Sequence, residues 1–312
     1  MENKKEMTAL DVSAATDTEQ PISKCTDNSI SEKAGKINDL ETISMTELYD
    51  TVYPSKPPLI DGLLYTGTYL FVGAPKLGKS YLMAQLAYHI STGTPLWDYT
   101  VRKGTVLYLA LEDDYRRLQE RLYRMFGTDS TDNLFFSVSA DSLGNGLDAQ
   151  LQRFMQEHTD TSLIIIDTLQ KVREVGGDNY SYANDYEIIT RLKQFADKYG
   201  ICILLVHHTR KQTADDKFNM ISGTTGLLGA ADGAFLLQKE KRTSNAATLE
   251  VSGRDQQDQK LYLNRNTETL LWELERTETE LWKEPPEPLL EKIAQLLSSG
   301  SNECVLCSSA YG

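Results

Sequence analysis

The chain has 312 residues, 40% hydrophobic and 25% charged, proportions that exclude a wholly disordered, collagen-like or coiled-coil protein. Its 32 basic and 45 acidic side chains leave a net charge of −13, which argues against coating nucleic acid through overall charge but leaves room for a local basic channel. No run approaches the ~18 apolar residues of a transmembrane helix and the N-terminus lacks the apolar stretch of a signal peptide, so a cytoplasmic protein with no membrane partner is expected.

Residues 1–45 are rich in Ser, Thr, Asp, Glu and Lys and are expected to form a disordered tail. Pro54, Pro57 and Pro58 then lead into a region, 46–280, where apolar strands and helices alternate. Strands are expected at 68–73 (TYLFVG), 105–112 (TVLYLALE), 133–139 (NLFFSVS), 162–167 (SLIIID) and 201–208 (ICILLVHH). Helices are expected at 79–92, 115–126, over DAQLQRFMQEH, and over NDYEIITRLKQFADKYG with Gly200 as its C-cap. Continuous apolar strands separated by helices predict an α/β fold with a mainly parallel sheet covered on both faces. After Ser222 the pattern changes: GAFLLQ, ATLEVSG, QKLYLN and TLLWELE read as a C-terminal run of antiparallel strands. Residues 281–312 are expected to hold one amphipathic helix, 285–299, and a tail.

Of the four cysteines, Cys202 lies in an apolar strand and reads as core, Cys25 lies in the N-terminal tail, and Cys304 and Cys307 form a lone CxxC. Without a second pair or a His cluster the spacing does not predict zinc.

The strongest signal is the run Gly73, Ala74, Pro75, Lys76, Leu77, Gly78, Lys79, Ser80, which fits G-x-x-x-x-G-K-[ST] between an apolar strand and a helix. Glycines permit backbone geometry that a Cβ would forbid. Successive N–H groups then form an anion nest at the positive end of the helix dipole. Lys79 is expected to reach the β- and γ-phosphates of ATP, and the Ser80 hydroxyl to ligate Mg²⁺.

Two carboxylates end strands. Asp167 after SLIIID faces the crevice at the carboxyl edge of a parallel sheet and can hold Mg²⁺; the plainer reading is a helix N-cap. Glu112 comes first off its strand and is the candidate base for the attacking water, whereas Asp113 and Asp114 suit the acidic start of the next helix. His207 and His208 alternate across the fifth strand, so one is expected in the core and one at the crevice.

Together GAPKLGKS, LALEDD, LIIIDTLQ, LLVHHTRK, ISGTTGLLGAADGAFLL and LEVSGRD, in this order, resemble the RepA-like ATPases of the RecA superfamily, the group of the hexameric plasmid replicative helicase, over roughly 46–275. The resemblance implies a RecA-like core, Mg-ATP hydrolysis and often a homo-oligomeric ring, six-membered in that helicase, around single-stranded DNA. It assigns the active-site roles to Lys79, Ser80, Glu112, Asp167 and His208. Two departures stand out. Asp232 occupies the position of the arginine that reaches the neighbouring subunit, which leaves Arg254 in VSGRD as the candidate finger. The chain also ends soon after residue 299, where many relatives continue into a helical or winged-helix segment.

By the same resemblance the loops 170–184 and 209–221 line a channel and offer Lys171, Arg173, Arg210, Lys211 and Lys217, with Tyr180 and Tyr182 for stacking. Glu174, Asp178, Asp215 and Asp216 weaken that charge, and plain solvated loops are the other reading. Arg117, Arg121 and Arg124 share a helix face that either meets phosphate or a neighbour, or is solvated. The function expected is a DNA-dependent ATPase of the helicase kind. The alternative is an ATP-binding switch that loads or regulates partners without unwinding. A small-molecule kinase is disfavoured by the lack of an arginine-rich acceptor lid.

Overall fold

A computed structural model describes residues 42–53, 57–173, 182–209, 225–239, 241, 243–254 and 256–279. Two compact units divide the chain, Met1–Tyr53 and Pro54–Gly312. In the first, helix α1 (Met45–Asp50) opens on a capping box: the Ser44 hydroxyl accepts the Glu47 N–H, and the Glu47 carboxylate accepts the Ser44 N–H.

The second unit runs β1 (Gly67–Gly73), α2 (Lys79–Thr92), β2 (Thr105–Ala110), α3 (Tyr115–Phe126), β3 (Leu134–Ser137), α4 (Leu147–Glu157), β4 (Thr161–Asp167), α5 (Leu169–Val172), α6 (Tyr182–Tyr199), β5 (Cys202–His208) and α7 (Thr225–Ala230). It then continues through β6 (Gly233–Gln238), β7 (Ala246–Gly253), β8 (Gln259–Arg265) and β9 (Trp272–Thr279). All nine strands form one sheet in the order β3-β2-β4-β5-β1-β6-β7-β8-β9. Strands β3 to β6 in that order are parallel, and β7, β8 and β9 are antiparallel additions. GAFLLQ, expected to open the antiparallel run, is β6: it pairs antiparallel with β7 as expected, and on its other side pairs in parallel with β1.

The period-two alternation of a strand explains the continuous apolar runs. In β1, Tyr69 and Phe71 enter one core layer, with Leu82 and Met83 of α2 and Leu118 of α3. Leu70 and Val72 enter the opposite layer, with Leu151 of α4 and Ile189 and Leu192 of α6. Strand β4 divides in the same way, Leu163 and Ile165 against Ile164 and Ile166. The antiparallel strands bury one face only: Leu249, Val251, Leu261, Leu263 and Trp272 join the first layer. Cys202 is buried in β5, as expected.

Strand β2 ends at Ala110, two residues before the expected end; the Leu111 N–H donates to the Asp167 carbonyl at 2.8 Å, and Glu112 lies in the turn beyond. Gly200, at φ +64°, follows α6 as the expected cap. Most of the expected N-terminal tail, the helix at 285–299, and Cys25, Cys304 and Cys307 lie outside the described residues.

Gly233 marks the tightest approach between β1, β6 and β7. A Cβ there would stand 2.6 Å from the Ser252 carbonyl oxygen, 2.8 Å from Tyr69 Cε1 and 2.9 Å from Gly253 Cα. These are backbone and core atoms that cannot swing aside. Gly233→Ala is therefore expected to lower unfolding free energy by about 1–3 kcal/mol, the usual range for overpacking. Gly229→Ala in α7, where nothing lies within 4 Å of the added carbon, should not. Urea unfolding of the two variants checks the contrast.

Candidate functional site

Because β1, β2, β4 and β5 run in parallel, their carboxyl ends share one edge of the sheet. The register sets Gly73 beside His208 and Asp167 beside Ala110 and Val206. The crevice at such an edge is where ligands of open α/β sheets bind.

The loop between β1 and α2 needs its glycines. A Cβ on Gly73 would stand 2.8 Å from the Leu237 carbonyl oxygen, and Gly78 caps α2 at φ +101°. Lys79, the first residue of α2, is buried, and its ammonium donates to the carbonyls of Gly73 at 2.8 Å and Ala74 at 3.0 Å. It also lies 3.2 Å from His208 Nδ1. Burial pushes the Lys79 pKa down to about 8, against the opposing pull of Asp167 and Glu112. Burial and the Lys79 charge together lower the His208 pKa, so its imidazole is neutral at pH 7 and Nδ1 can accept from the ammonium. His207 is buried on the other face of β5, so the pair divides as its alternation predicts.

Asp167 is buried at the end of β4. It accepts the Tyr108 hydroxyl at 2.9 Å and the Ser80 hydroxyl, while burial raises its carboxyl above the ordinary value. The peptide bond from Asp167 to Thr168 is cis. Glu112 Oε1 accepts the Thr168 hydroxyl at 3.1 Å. The plainer roles go to its neighbours: Asp114 caps α3 through the Arg117 N–H at 2.9 Å, and Asp113 pairs with Arg117 and Arg121 at 2.9 and 2.7 Å. Lys79, Ser80, Glu112, Asp167 and His208 thus line one pocket of about 460 Å³, within the range of small-molecule sites. A nest of N–H groups beside a lysine suits a polyphosphate. A hydroxyl hydrogen-bonded to a carboxylate suits a hard divalent cation that takes its remaining ligands from water and phosphate.

The family model AAA_25, an AAA domain, matches residues 37–214. The chain belongs to the AAA domain family. Among solved structures it resembles an ATPase domain with TM-score 0.55 and 14% identity, over 67% of this chain and 84% of that one. It also resembles a DnaB-like replicative helicase solved for its interactions with primase, with TM-score 0.53 and 17% identity, over 67% of this chain and 57% of the helicase. A KaiC-like protein from Pyrococcus horikoshii OT3 matches with TM-score 0.51 and 14% identity, over 72% of this chain and 98% of that one. No curated protein matches the sequence. The fold is that of RecA-like P-loop ATPases, a mostly parallel α/β sheet with C-terminal antiparallel strands.

In this AAA domain the other anticipated residues fall differently. Arg254 is not part of the pocket. Strand β7 runs against β6, so Gly253 faces Gly233, which pairs with Tyr69 near the amino end of β1. Arg254 therefore lies at the sheet edge away from its own phosphate loop, where its guanidinium donates to the Gly229 carbonyl at 3.2 Å. Asp232 is structural: buried, it accepts the Thr68 N–H at 2.9 Å and pairs with Lys193. Arg173, anticipated in a channel loop, is buried in an ion pair with Asp185 at 2.9 Å, which withdraws it from nucleic acid. Lys171 is exposed; Tyr180, Arg210, Lys211, Lys217 and the Tyr182 side chain lie outside the described residues.

The arginine face of α3 is not simply solvated. Arg124 donates to the carbonyls of Thr267 and Glu268 at 2.9 and 2.8 Å, in the β8–β9 turn. Arg121 lines the pocket, as do Tyr81 and Arg265, neither of which the sequence singled out. Tyr81 could have been noticed as the residue after the phosphate-loop serine. Arg265 carries no local signal, because it reaches the site from β8.

The depressed Lys79 pKa has a sign. Between about pH 8 and its ordinary value of 10.5 the unfolded chain holds a proton on this lysine that the folded chain has released, so this residue makes stability rise with pH across that window. Below about pH 8 the contribution is gone. Lys79→Met is expected to flatten this segment of the stability–pH curve, as measured by denaturant unfolding of both proteins from pH 7.5 to 10.5.

Proposed function

We propose that the chain is a RecA-type ATPase that hydrolyses Mg-ATP, works as a homo-oligomer, and acts on single-stranded DNA in the replication of a plasmid, phage or integrative element, as RepA-like helicases do. The observation that carries the reading is the convergence of Lys79, Ser80, Glu112, Asp167 and His208 on one pocket at the carboxyl edge of the sheet. In it the loop N–H groups of residues 76–80 hold the phosphates, and Lys79 exchanges its carbonyl partners for the β- and γ-oxygens. Ser80 and Asp167 would hold Mg²⁺, which would supply neutralisation of the polyphosphate charge. Glu112 orients and deprotonates water, with Thr168 fixing its carboxylate. His208, bonded to Lys79, reports the γ-phosphate to the chain that follows β5.

The oligomer gives Arg254 its place. Arg254 lies at the edge away from its own phosphate loop, its guanidinium bonded there to the Gly229 carbonyl, so a neighbour's site is the target the proposal gives it. The domain layout of the proposal is a tail at 1–45, the ATPase at 46–280 and a C-terminal segment at 281–312. A second reading, an ATP-driven switch that loads or regulates partners without unwinding, is favoured by the net charge of −13 and by the engagement of Arg173 with Asp185. ATPase rates with and without single-stranded DNA separate the two: stimulation supports the motor, indifference the switch.

Lys79→Ala is expected to abolish hydrolysis with the fold intact. Glu112→Gln should bind Mg-ATP and turn it over at least about tenfold more slowly, a floor set below the ~10²–10⁴ that a positioned general base contributes. Wild-type turnover in purified Lys79→Ala would overturn the phosphate-loop assignment. Arg254→Ala should lose most activity with little change in nucleotide affinity, since such fingers contribute about 10³–10⁵ in rate. Mixing it with Lys79→Ala should restore part of that activity, because mixed interfaces pair an intact loop with an intact arginine. Full activity of Arg254→Ala removes the finger.

A further inference from the structure

The pocket has a second cationic end that the phosphate-loop motif does not account for. Arg265, the last residue of β8, places its guanidinium carbon 4.1 Å from the centre of the Tyr81 ring, and that of Arg121, from α3, lies 5.0 Å from the same ring. Arg265 also crowds the loop itself: a Cβ on Gly78 would stand 3.3 Å from Arg265 Nη1. Three nitrogens here, Arg265 Nε and Arg121 Nε and Nη1, are buried with no hydrogen-bond acceptor among the described residues. Arg121 is held through its remaining nitrogen by Asp113 at 2.7 Å, and Arg265 has no ion pair among the described residues.

Buried cationic donors without acceptors are unfavourable. Burial lowers the pKa of Arg265 below the ordinary arginine value; Tyr81 opposes it, and the charges of Arg124 and Arg121 add to it in smaller measure. The position within the pocket narrows the occupant. Lys79 points its ammonium toward Gly73, Ala74 and His208, the end where β- and γ-phosphates belong. Arg265 stands at the other end, by Gly78 and Tyr81, where the loop enters α2 and the α-phosphate belongs.

We propose that Arg265, with Arg121 beside it, forms an anion subsite for the α-phosphate of the nucleotide bound to the same chain. The inference rests on the ATP reading above and adds to it a residue from the antiparallel extension, so that β8 becomes part of the nucleotide site. On binding, Arg265 moves from the Tyr81 ring face to a phosphate oxygen and its unsatisfied donor is filled.

The test is calorimetric titration of the full chain and Arg265→Ala with Mg-ADP, Mg-ATP and Mg-tripolyphosphate, the last carrying phosphates and no nucleoside. Arg265→Ala should weaken all three by about tenfold or more, the equivalent of one charge-assisted hydrogen bond. Arg265→Lys should recover part of the loss through its charge and not all of it, since the fork geometry is gone. Unchanged ADP affinity overturns the subsite. So does a loss for ADP and ATP with tripolyphosphate unaffected, which would move Arg265 to the base. Should Arg265→Ala fail to fold, Arg265→Gln and Arg265→Lys carry the same comparison, because both keep the first methylenes of the side chain in place. Failure of the ATP reading looks different: the wild-type chain itself would bind none of the three, or Lys79→Ala would bind them as well as wild type does.

Discussion

The buried ammonium of Lys79 is the constraint around which this domain is arranged. A lysine taken out of water must be given oxygen or nitrogen partners, and here they come from two separated stretches: Gly73 and Ala74, where β1 runs into the loop, and His208 at the end of β5. That requires β5 beside β1, in parallel and in register, which the pairing of Gly73 with His208 supplies. It requires α2 to begin at once, which the left-handed backbone of Gly78 allows. The two carboxylates that face Lys79, Glu112 and Asp167, in turn fix where β2 and β4 must end.

Around that centre the antiparallel extension acts as a brace. Gln85 of α2 bonds both backbone groups of Trp272, donating to the carbonyl at 2.9 Å and accepting the N–H at 2.8 Å. Arg124 of α3 holds the turn that joins β8 to β9. The helices that carry the loop and the pocket wall are thereby pinned to the end of the sheet. Extending the parallel sheet by three antiparallel strands both lengthens the core and closes the pocket on the side of Gly78.

The parts legible in the sequence were those written in local pattern. The parallel strands other than the half-buried edge strand β3 announce themselves because both faces of each are buried, leaving no polar alternation to confuse them with surface strands. Lys79 and Ser80 are fixed by spacing, and Glu112 and Asp167 by their place just after apolar runs. What stayed hidden depends on partners remote in the chain. The direction of β6 cannot be read from the six residues GAFLLQ, since the same string suits either pairing. Arg173 looks like a free cation until Asp185 is folded against it. Arg265 looks like the end of a surface hairpin until α2 and α3 bring Tyr81 and Arg121 to it.

Trp272 gives this arrangement an optical handle. Its indole is buried, and its N–H points at the Gly78 carbonyl at 3.3 Å, one peptide from the lysine of the loop. The Trp97 indole donates to the Trp272 carbonyl at 2.6 Å, so two of the chain's three tryptophans sit on one hydrogen-bonded path to the loop. Indole emission responds to the charges and dipoles around it, and for Trp272 these include the Gly78 carbonyl of the loop and the Lys239 ammonium 5.2 Å from its ring. The intrinsic fluorescence of the chain is therefore a built-in gauge of the phosphate loop's conformation, readable without a label.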